Sequence, residues 1–501
     1  MEYIIGVDIG TSGTKAIAFS TQGAVLANYY VSYERLPGEA GIHELDPEAL
    51  LEAVVTSIGE VVMQMGTTRH LLGISFSSFM HGLMALDKQG RPLTNIITWA
   101  DLRSNGYAQT LLQSETGKQV YRNTGTPIHP MSPLCKLMWM KENDPRIFAA
   151  AHRFVSIKEY LFYRLFDRFI IDHSVASGTG LFDIMQHCWY APSLQMAGIT
   201  EQQLPEPVPT TYIMRGMKKE WAAKLKLDAD VPFVVGGSDG CLANLGSHAT
   251  KPGDLCVTIG TSGAVRMITN NPRYDEQQRV FNYILTEKEY VCGGPTNNGL
   301  NILKWYAAGF LQRPIREVAD IDWFVREAAK APQGAGGLVF LPYLHGERAP
   351  VWDAHARGVF LGLHSGHTQS HIMRAIIEGI NYSLYQIASC VEASVGTASH
   401  IYGSGGFIHS RLWLQWMANL FGKSITVSST ADASATGAAV LGLSALGKME
   451  TEQSGHNFVR TTETFLPQQA SHAHYMKAYT VYASLYNKLK IDFRQLSDLA
   501  M

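Results

Sequence analysis

The chain has 501 residues, enough for two or more domains with large cores, and 46% of them are hydrophobic while 17% are charged. A formal net charge of −2, without any run of Lys and Arg, argues against nucleic acid or an acidic membrane surface as partners. The six cysteines form no CxxC pair, which argues against a disulfide framework or a thiolate metal cluster and fits a reducing cytoplasm.

The predicted elements of the first half alternate between strands and helices. Asp46 and Pro47 predict a helix start, because Asp can cap free N–H groups and Pro suits the first helical position. Residues 104–230 are predicted to be mostly helix and loop. The predicted strands are 4–7, 16–19, 25–33, 72–76, 96–99 and 232–235. This alternation predicts an α/β fold with ligand-binding groups at strand ends.

The second half repeats this plan. A turn at 251–254 places the boundary near 246–253, which predicts one domain over 1–246 and another over 247–501. The predicted elements are strands at 255–259, 264–268 and 290–292, a strong element at 337–342, a helix over 371–395, a Gly-rich turn at 403–407 and a close-packing turn at 436–439. Near the C-terminus, four tyrosines on one helix face are predicted to pack in the core: Tyr475, Tyr479, Tyr482 and Tyr486.

One pentapeptide occurs twice, as Ile9–Gly13 and as Ile259–Gly263, at a distance close to half the chain. Each copy lies between two apolar, β-prone runs, so each predicts a strand, a tight turn and a second strand. Glycines let backbone approach a ligand, successive N–H groups form a concavity for anions, and Thr and Ser add hydroxyl donors. One such turn alone would suit any hairpin, but the duplication predicts two similar domains that hold a polyphosphate in a shared cleft.

Two aspartates extend this interpretation. Asp8 ends the strand before the first turn, where its carboxylate could hold hydrated Mg²⁺ against phosphates or could simply cap the turn. Asp239 lies at a predicted helix start, where it could act as general base on a hydroxyl or serve as the helix N-cap.

A set of polar and aromatic residues suits a polyol, since it combines donors, acceptors and an apolar plate. Each member also has a structural explanation: Trp99 could be core, Asp101 and Arg103 could form an ion pair, and any one of 18 histidines could be structural. The Gly-rich segment 403–406 could lie beneath a nucleotide base or merely start a helix. Neither turn contains GxxxxGK[ST], so the P-loop is not used there. The candidate set is His81, Trp99, Asp101, Arg103 and His129.

The two turns and their strands, 6–11 and 258–263, resemble the ATP-binding fold of actin, Hsp70 and the sugar kinases. Two longer stretches, 131–143 and 358–378, resemble the signatures of the FGGY carbohydrate kinases. Within that family the chain is most similar to gluconate kinases, through 97–104, 124–131 and 156–160. The tripeptide at 80–82 instead resembles the xylulose-kinase form. The resemblance implies an α/β fold of two similar RNase H-like domains with a cleft between them.

The resemblance also implies the roles of individual residues. It implies that Asp239 is the general base and also contacts the substrate, and that Asp8 is the metal-side carboxylate. His81, Trp99, Asp101, Arg103 and His129 would bind the sugar. The residues that would bind ATP are Thr11, Ser12, Lys15, Gly260, Thr261, Ser262, Gly405, Gly406 and Ser410. ATP and Mg²⁺ are the implied cofactors.

The implied activity is ATP-dependent phosphorylation of a sugar acid at a terminal hydroxyl, namely D-gluconate to 6-phosphogluconate, with Arg103, His81 or His129 facing the carboxylate. One alternative is a kinase for xylulose or another pentulose, and another is a non-catalytic, nucleotide-gated sugar-binding protein. Partners are expected to be small-molecule sugars and a second copy in a homodimer, with neither nucleic acid nor membrane. No signal peptide and no apolar run of about 20 residues is apparent, so a cytoplasmic location is expected.

Overall fold

The computed structural model describes residues 1–39, 41–428, 432–449 and 458–499. The first half contains these elements: β1 Tyr3–Ile9, β2 Gly13–Ser20, β3 Val25–Ser32, β4 Glu44–Leu45, α1 Pro47–Met65, β5 Leu71–Ser78, β6 Met84–Leu86, β7 Ile96–Ile97, α2 Asn105–Leu112, α3 Glu115–Thr124, α4 Pro133–Asn143, α5 Pro145–Ala150, β8 Arg153–Val155, α6 Ile157–Phe166, β9 Ile170–Asp172, α7 His173–Ser177, β10 Phe182–Asp183, β11 Cys188–Trp189, α8 Ala191–Ala197, β12 Glu206–Val208, β13 Ile213–Met214, α9 Lys219–Leu225, β14 Phe233–Ser238 and α10 Asp239–Gly246.

The second half continues the numbering: β15 Asp254–Ile259, β16 Gly263–Thr269, β17 Phe281–Ile284, β18 Tyr290–Thr296, α11 Leu300–Gly309, α12 Val318–Ala328, β19 Val339–Leu341, β20 Val359–Leu361, α13 Gln369–Val395, β21 His400–Gly405, α14 Arg411–Phe421, β22 Ile425–Ser428, α15 Ala433–Ala445, β23 Thr461–Phe465 and α16 Gln469–Leu499. Short 3₁₀ helices occur at Glu201–Gln203, Ala335–Gly337 and Gly406–His409.

The two halves are built on sheets of matching topology. In the described part of the chain, the first sheet has the strand order β13-β14-β5-β1-β2-β3 and the second has β17-β18-β16-β15-β21-β22-β23. Strand β1 pairs antiparallel with β2 and parallel with β5, while β15 pairs antiparallel with β16 and parallel with β21. The pentapeptide repeat therefore marks a duplicated α/β unit, and the predicted fold class is confirmed.

Both pentapeptides form the hairpin turns that the sequence predicts. In the first turn the Gly10 N–H donates to the Gly13 carbonyl at 3.0 Å, and in the second the Gly260 N–H donates to the Ser262 carbonyl at 2.9 Å. The helix predicted after Asp46 is also confirmed, since the Asp46 carboxylate accepts the N–H of Glu48 at 2.9 Å. At the C-terminus Tyr475 and Tyr482 are buried and Tyr479 and Tyr486 pack against the same core, as predicted.

Three local predictions differ from the structure. The strand predicted at 96–99 is only two residues long, since beyond Ile97 the Thr98 carbonyl accepts a hydrogen bond from the Lys136 ammonium, at 2.8 Å, rather than from a neighbouring strand. The element at 337–342 shrinks to β19, which pairs with β20 outside the large sheets. The segment 436–439 is the middle of helix α15 and not a turn.

Helix α15 belongs to the second half in sequence but packs on the first sheet and on α10. The close approach of α15 to α10 and to strand β1 requires glycine at three positions. A Cβ at Gly437 would lie 1.9 Å from the Leu242 carbonyl oxygen, one at Gly246 would lie 1.8 Å from that of Ala433, and one at Gly6 would lie 2.1 Å from that of Ala435. The division at residue 246 stays a prediction, because the core of the first sheet includes side chains from both halves, such as Ile4 and Val440.

The Gly437→Ala variant is expected to lower the melting temperature, because the new methyl group would meet backbone rather than a movable side chain. Overpacking of this kind costs at least about 2 kcal/mol. The matched control is Gly59→Ala in α1, where no atom lies within 4 Å of the new Cβ, and it should stabilise the fold by ~0.5–1 kcal/mol. Thermal melts of both variants test this, and a wild-type melting temperature for Gly437→Ala would contradict it.

Candidate active site

In the first turn, residues 10–12, two carbonyl groups accept hydrogen bonds from tyrosine side chains. The Gly10 carbonyl accepts the Tyr33 hydroxyl at 2.5 Å, and the Ser12 carbonyl accepts the Tyr30 hydroxyl at 3.1 Å. Thr11 is half-buried and Ser12 is exposed. Because the Gly10 N–H and these two carbonyls are already engaged, the N–H groups and hydroxyls of Thr11 and Ser12 are the groups left to meet an anion.

The second turn, residues 260–262, is arranged in the same way. The carbonyls of Gly260 and Thr261 accept the N–H groups of Leu300 and Asn301, which begin helix α11, at 2.9 and 3.2 Å. Thr261 is exposed and Ser262 is half-buried. The two copies of the pentapeptide therefore share not only a sequence but also the engagement of their carbonyl groups by a neighbouring element.

The Gly-rich segment 403–406 ends strand β21 directly beside the second turn. Gly405 is paired with Ile259 and has a φ of 93°, and a Cβ there would lie 2.4 Å from the Ile259 carbonyl oxygen. Gly406 begins the following 3₁₀ helix, and the Ser410 hydroxyl is buried without a hydrogen-bond partner among the described residues. The structure thus brings Gly405 and Gly406 next to the second turn, in a backbone conformation that only glycine tolerates at position 405.

Asp239 is the first residue of α10, at the end of strand β14. Ser238 is the N-cap, since its hydroxyl accepts the Cys241 N–H at 3.3 Å, so the N-cap explanation for Asp239 is wrong. The half-buried Asp239 carboxylate accepts only the N–H of Gly240 among its described hydrogen bonds, at 2.7 Å. Burial raises its pKa, and Arg266 and Arg348 oppose this rise. Asp239 is therefore a partly dehydrated carboxylate with open acceptor capacity.

Asp8 lies at the end of β1, and its carboxylate accepts the Ser77 hydroxyl at 2.7 Å. Burial raises the pKa of Asp8 well above its usual range, and the negative charges of Asp432 and Asp239 raise it further. Lys15 partly offsets this charge and forms an ion pair with Asp432 at 3.1 Å. Three carboxylates thus interact near the first turn. Lys15 acts on Asp8, and Arg266 and Arg348 act on Asp239, yet the pKa of Asp8 stays raised, an arrangement that favours a bound cation beside it.

Mg²⁺ fits this arrangement. The described residues contain no group of three or more His, Cys, Asp or Glu positioned to hold a metal, but Mg²⁺ is commonly held by one or two carboxylates together with waters and substrate phosphates. Asp8 is the carboxylate that the sequence predicts as the magnesium ligand, and Asp432 is a second carboxylate that the structure brings near it.

A buried ion pair supports the strand that carries Asp239. The Lys158 ammonium lies 2.6 Å from the Asp172 carboxylate and donates to the Gly237 carbonyl at 3.0 Å, and both side chains are almost fully buried. Breaking such a pair leaves an uncompensated charge, so Lys158 and Asp172 hold in place strand β14, which leads to Asp239.

His81 and His129 face the same region of the cleft with opposite tautomers. The Nδ1 of His81 lies 2.7 Å from the Gly178 carbonyl and must donate to it, which leaves Nε2 as an acceptor. The Nδ1 of His129 accepts the Met131 N–H at 3.2 Å, which leaves Nε2–H as a donor. Burial lowers the pKa of each to about 3, so both are neutral. His81 also has a φ of 66°, an unusual conformation for a non-glycine residue and one often found at functional sites.

Trp99 and Arg348 meet across the cleft. The Arg348 guanidinium lies 4.6 Å from the centre of the Trp99 ring, and it comes from the second half while Trp99 comes from the first. Arg348 is one of the charges that affect the pKa values of Asp239, His81 and His129. Arg348 thus lies within electrostatic reach of Asp239, His81 and His129 and in direct contact with Trp99. That these residues bind the sugar stays a prediction.

Asp101 and Arg103 are arranged differently. Arg103 donates to both oxygens of Asp101, at 2.9 and 2.8 Å, and to Glu44 at 2.6 Å, so its guanidinium is engaged by carboxylates. Arg103 lines a separate surface cavity of about 540 Å³ with Glu44 and Trp139. The ion-pair explanation is therefore the one that these contacts favour, and the pair supports the segment that carries Trp99.

Sequence reasoning missed three residues of this site: Arg266, Arg348 and Asp432. Arg266 is a lone charge within the buried strand β16, which is a signal that the sequence contains. Arg348 lies in the segment 345–350, for which the sequence predicts no role. Asp432 caps α15 by accepting the Ala435 N–H at 3.1 Å, and only the folding of α15 onto the first sheet brings it near Asp8.

The chain consists of two similar α/β halves, each with a hairpin turn, and carboxylates lie at the strand ends between them. These features define the actin-like class of two-lobed phosphotransferases. Family models agree with this class: the N-terminal domain of the FGGY family of carbohydrate kinases matches residues 3–246, and its C-terminal domain matches residues 255–446. The chain belongs to the FGGY family of carbohydrate kinases.

Individual relatives match this chain over almost its whole length. The chain is 38% identical to a gluconokinase of Bacillus licheniformis, over 99% of this chain and 98% of that protein. It superposes on a gluconate kinase of Lactobacillus acidophilus with a TM-score of 0.93 at 33% identity, covering 99% of both chains. A xylulose kinase of the same organism gives the same TM-score and identity, over 99% of this chain and 100% of that one. Across the described residues, no helix is long and apolar enough to cross a membrane.

Proposed function

We propose that this carbohydrate kinase transfers the γ-phosphoryl group of ATP to the terminal hydroxyl of D-gluconate, forming 6-phosphogluconate. The observation that carries the proposal is the position of Arg348, whose guanidinium lies 4.6 Å from the centre of the Trp99 ring and has a buried Nε without a hydrogen-bond partner among the described residues. Such a site favours an anionic sugar acid over a neutral sugar. The 38% identity to a gluconokinase supports the same substrate.

Asp239 acts as the general base in this proposal. Its carboxylate accepts the proton of the terminal hydroxyl as the hydroxyl oxygen attacks phosphorus in line, and the raised pKa of Asp239 suits it to this proton. Phosphoryl transfer needs little covalent help from the protein, so positioning and charge stabilisation do most of the catalysis. Mg²⁺ beside Asp8 would neutralise charge on the phosphates.

The two turns bind the phosphates in this proposal, and the second half binds the rest of the nucleotide. Thr11, Ser12 and Lys15 would contact them from the first half, and Thr261 and Ser262 from the second. The exposed Gly405, the half-buried Gly406 and the Ser410 hydroxyl, which has no hydrogen-bond partner among the described residues, support a place for adenosine beside the second turn. We also propose the division at residue 246, with the sugar and the first turn on its N-terminal side.

A panel of sugars with coupled detection of ADP tests the substrate. With gluconate, xylulose, ribulose and glycerol, we expect kcat/KM for gluconate to exceed that for each other sugar by at least about 100-fold, as loss of a charged contact predicts. A preference for xylulose would overturn the assignment of gluconate. ATP binding without phosphorylation of any sugar would instead favour a nucleotide-gated binding protein.

A xylulose kinase is the second candidate. The observation in its favour is the tripeptide Met80-His81-Gly82, which resembles the xylulose-kinase form. The same panel decides between the two sugars.

A further inference from the structure

We propose that Arg348 is the specificity-determining residue for an anionic sugar, binding the substrate carboxylate together with His129. This inference rests on the proposed function, because it concerns how the site would recognise a sugar acid. Neither residue is engaged by a carboxylate in the structure, in contrast to Arg103.

A buried carboxylate holds the backbone of Arg348 in place. Glu347 is almost fully buried and accepts the Arg348 N–H at 2.7 Å. It also accepts hydrogen bonds from the Thr296 hydroxyl at 2.7 Å and the Asn297 N–H at 3.0 Å, and from the Asn298 amide. These contacts join the loop that carries Arg348 to the end of strand β18. The backbone that carries the guanidinium is therefore held rigidly, as a residue that determines specificity requires.

The guanidinium itself has unused hydrogen-bonding capacity. One terminal nitrogen donates to the Thr296 carbonyl at 3.0 Å, while Nε is buried without a hydrogen-bond partner among the described residues. Arg348 is only 8% exposed, and a buried N–H without an acceptor is costly. The open Nε–H thus favours a ligand that supplies an acceptor.

The position of Arg348 links the two ends of a sugar chain. The charge of Asp239 affects the pKa of Arg348, and the Arg348 charge in turn lowers the pKa values of His81 and His129. The contacts of Arg348 agree with this position. Its guanidinium lies 4.6 Å from the centre of the Trp99 ring, its carbonyl accepts the Trp352 N–H, and the Trp352 ring lies 5.4 Å from the ring of His129.

The donors and acceptors match a carboxylate. An ionised carboxylate only accepts hydrogen bonds, and Arg348 Nε–H and His129 Nε2–H are donors without a partner among the described residues. His81 Nε2 is an acceptor 3.5 Å from the Tyr283 hydroxyl, and it also suits a substrate hydroxyl, which can donate. A neutral ketose would offer Arg348 no charge-assisted hydrogen bond, so it would bind less tightly.

The test compares Arg348→Gln and Arg348→Lys with the wild-type enzyme on gluconate and MgATP. We expect Arg348→Gln to raise the KM for gluconate about 100-fold while the KM for ATP stays within about twofold, because a charge-assisted contact to the sugar is lost. Arg348→Lys keeps the charge but not the forked geometry, so a rise of about tenfold is expected. The control is Arg168→Gln, an exposed arginine paired with Glu206, which should leave both KM values unchanged.

Two failures are distinguishable. If the wild-type enzyme phosphorylates gluconate but Arg348→Gln leaves its KM within about threefold, the role of Arg348 is wrong and the proposed function stands. If the wild-type enzyme phosphorylates xylulose and not gluconate, the proposed function fails and this assignment fails with it. Should Arg348→Gln not fold, as thermal melts would show, the KM of Arg348→Lys decides, and a wild-type value for gluconate overturns the inference.

Discussion

The Asp239→Asn variant is expected to lose at least about 10³-fold in kcat, because the amide cannot accept the hydroxyl proton. Asn keeps the size and can still accept the Gly240 N–H, so the start of α10 should remain intact. The measurement is steady-state turnover with gluconate and ATP, alongside ATP binding by calorimetry. ATP affinity should change little, since the phosphate turns are untouched.

The matched control for this variant is Asp230→Asn, an exposed aspartate in the turn before β14. It makes the same chemical change without touching the cleft and should keep wild-type turnover. Turnover of Asp239→Asn within about tenfold of wild type would contradict the assignment of the base. The wild-type pH profile adds a second check: because burial raises the pKa of Asp239, activity should be lost on acidification at a pH above the ordinary value of 3.8.

The Asp8→Asn variant is expected to lose activity and gain stability together. Turnover should fall by about 10²-fold or more, because the carboxylate that would hold Mg²⁺ near the phosphates is gone. Stability should rise at pH 8, because burial, Asp432 and Asp239 make the ionised form of Asp8 unfavourable in the folded state. A higher melting temperature than that of the wild type is expected in a thermal melt without Mg²⁺.

The pH dependence of the melting temperature shows whether the Asp8 carboxylate stabilises or destabilises the fold. A carboxyl whose pKa is raised on folding is protonated in the folded state at pH 4, where its charge costs nothing, and becomes a burden as the pH rises. The melting temperatures of Asp8→Asn and wild type should therefore converge toward pH 4 and separate by pH 8. A lower melting temperature for the variant at pH 8 would show that Asp8 stabilises the fold rather than destabilises it.

The sequence predicted the elements whose information is local. The hairpins at 10–12 and 260–262 follow from the turn chemistry of Gly, Thr and Ser between β-prone runs, and the structure confirms both. The start of α1 at Asp46 and Pro47 could be predicted because its signal is also local. Strands β17, β22 and β23 were missed, because their pairing partners are distant in sequence and their own patterns are short.

The sequence by itself determined the duplicated plan, the two turns, and the positions of Asp8 and Asp239 at strand ends, since short-range propensity and spacing dictate these. Only the tertiary structure decided which charges share the cleft. It engages Arg103 with Asp101 and Glu44, brings Arg348 over Trp99, and carries Asp432 on α15 to within electrostatic reach of Asp8. The physical reason is that Coulomb interactions and burial depend on distances through space, which spacing along a chain does not specify.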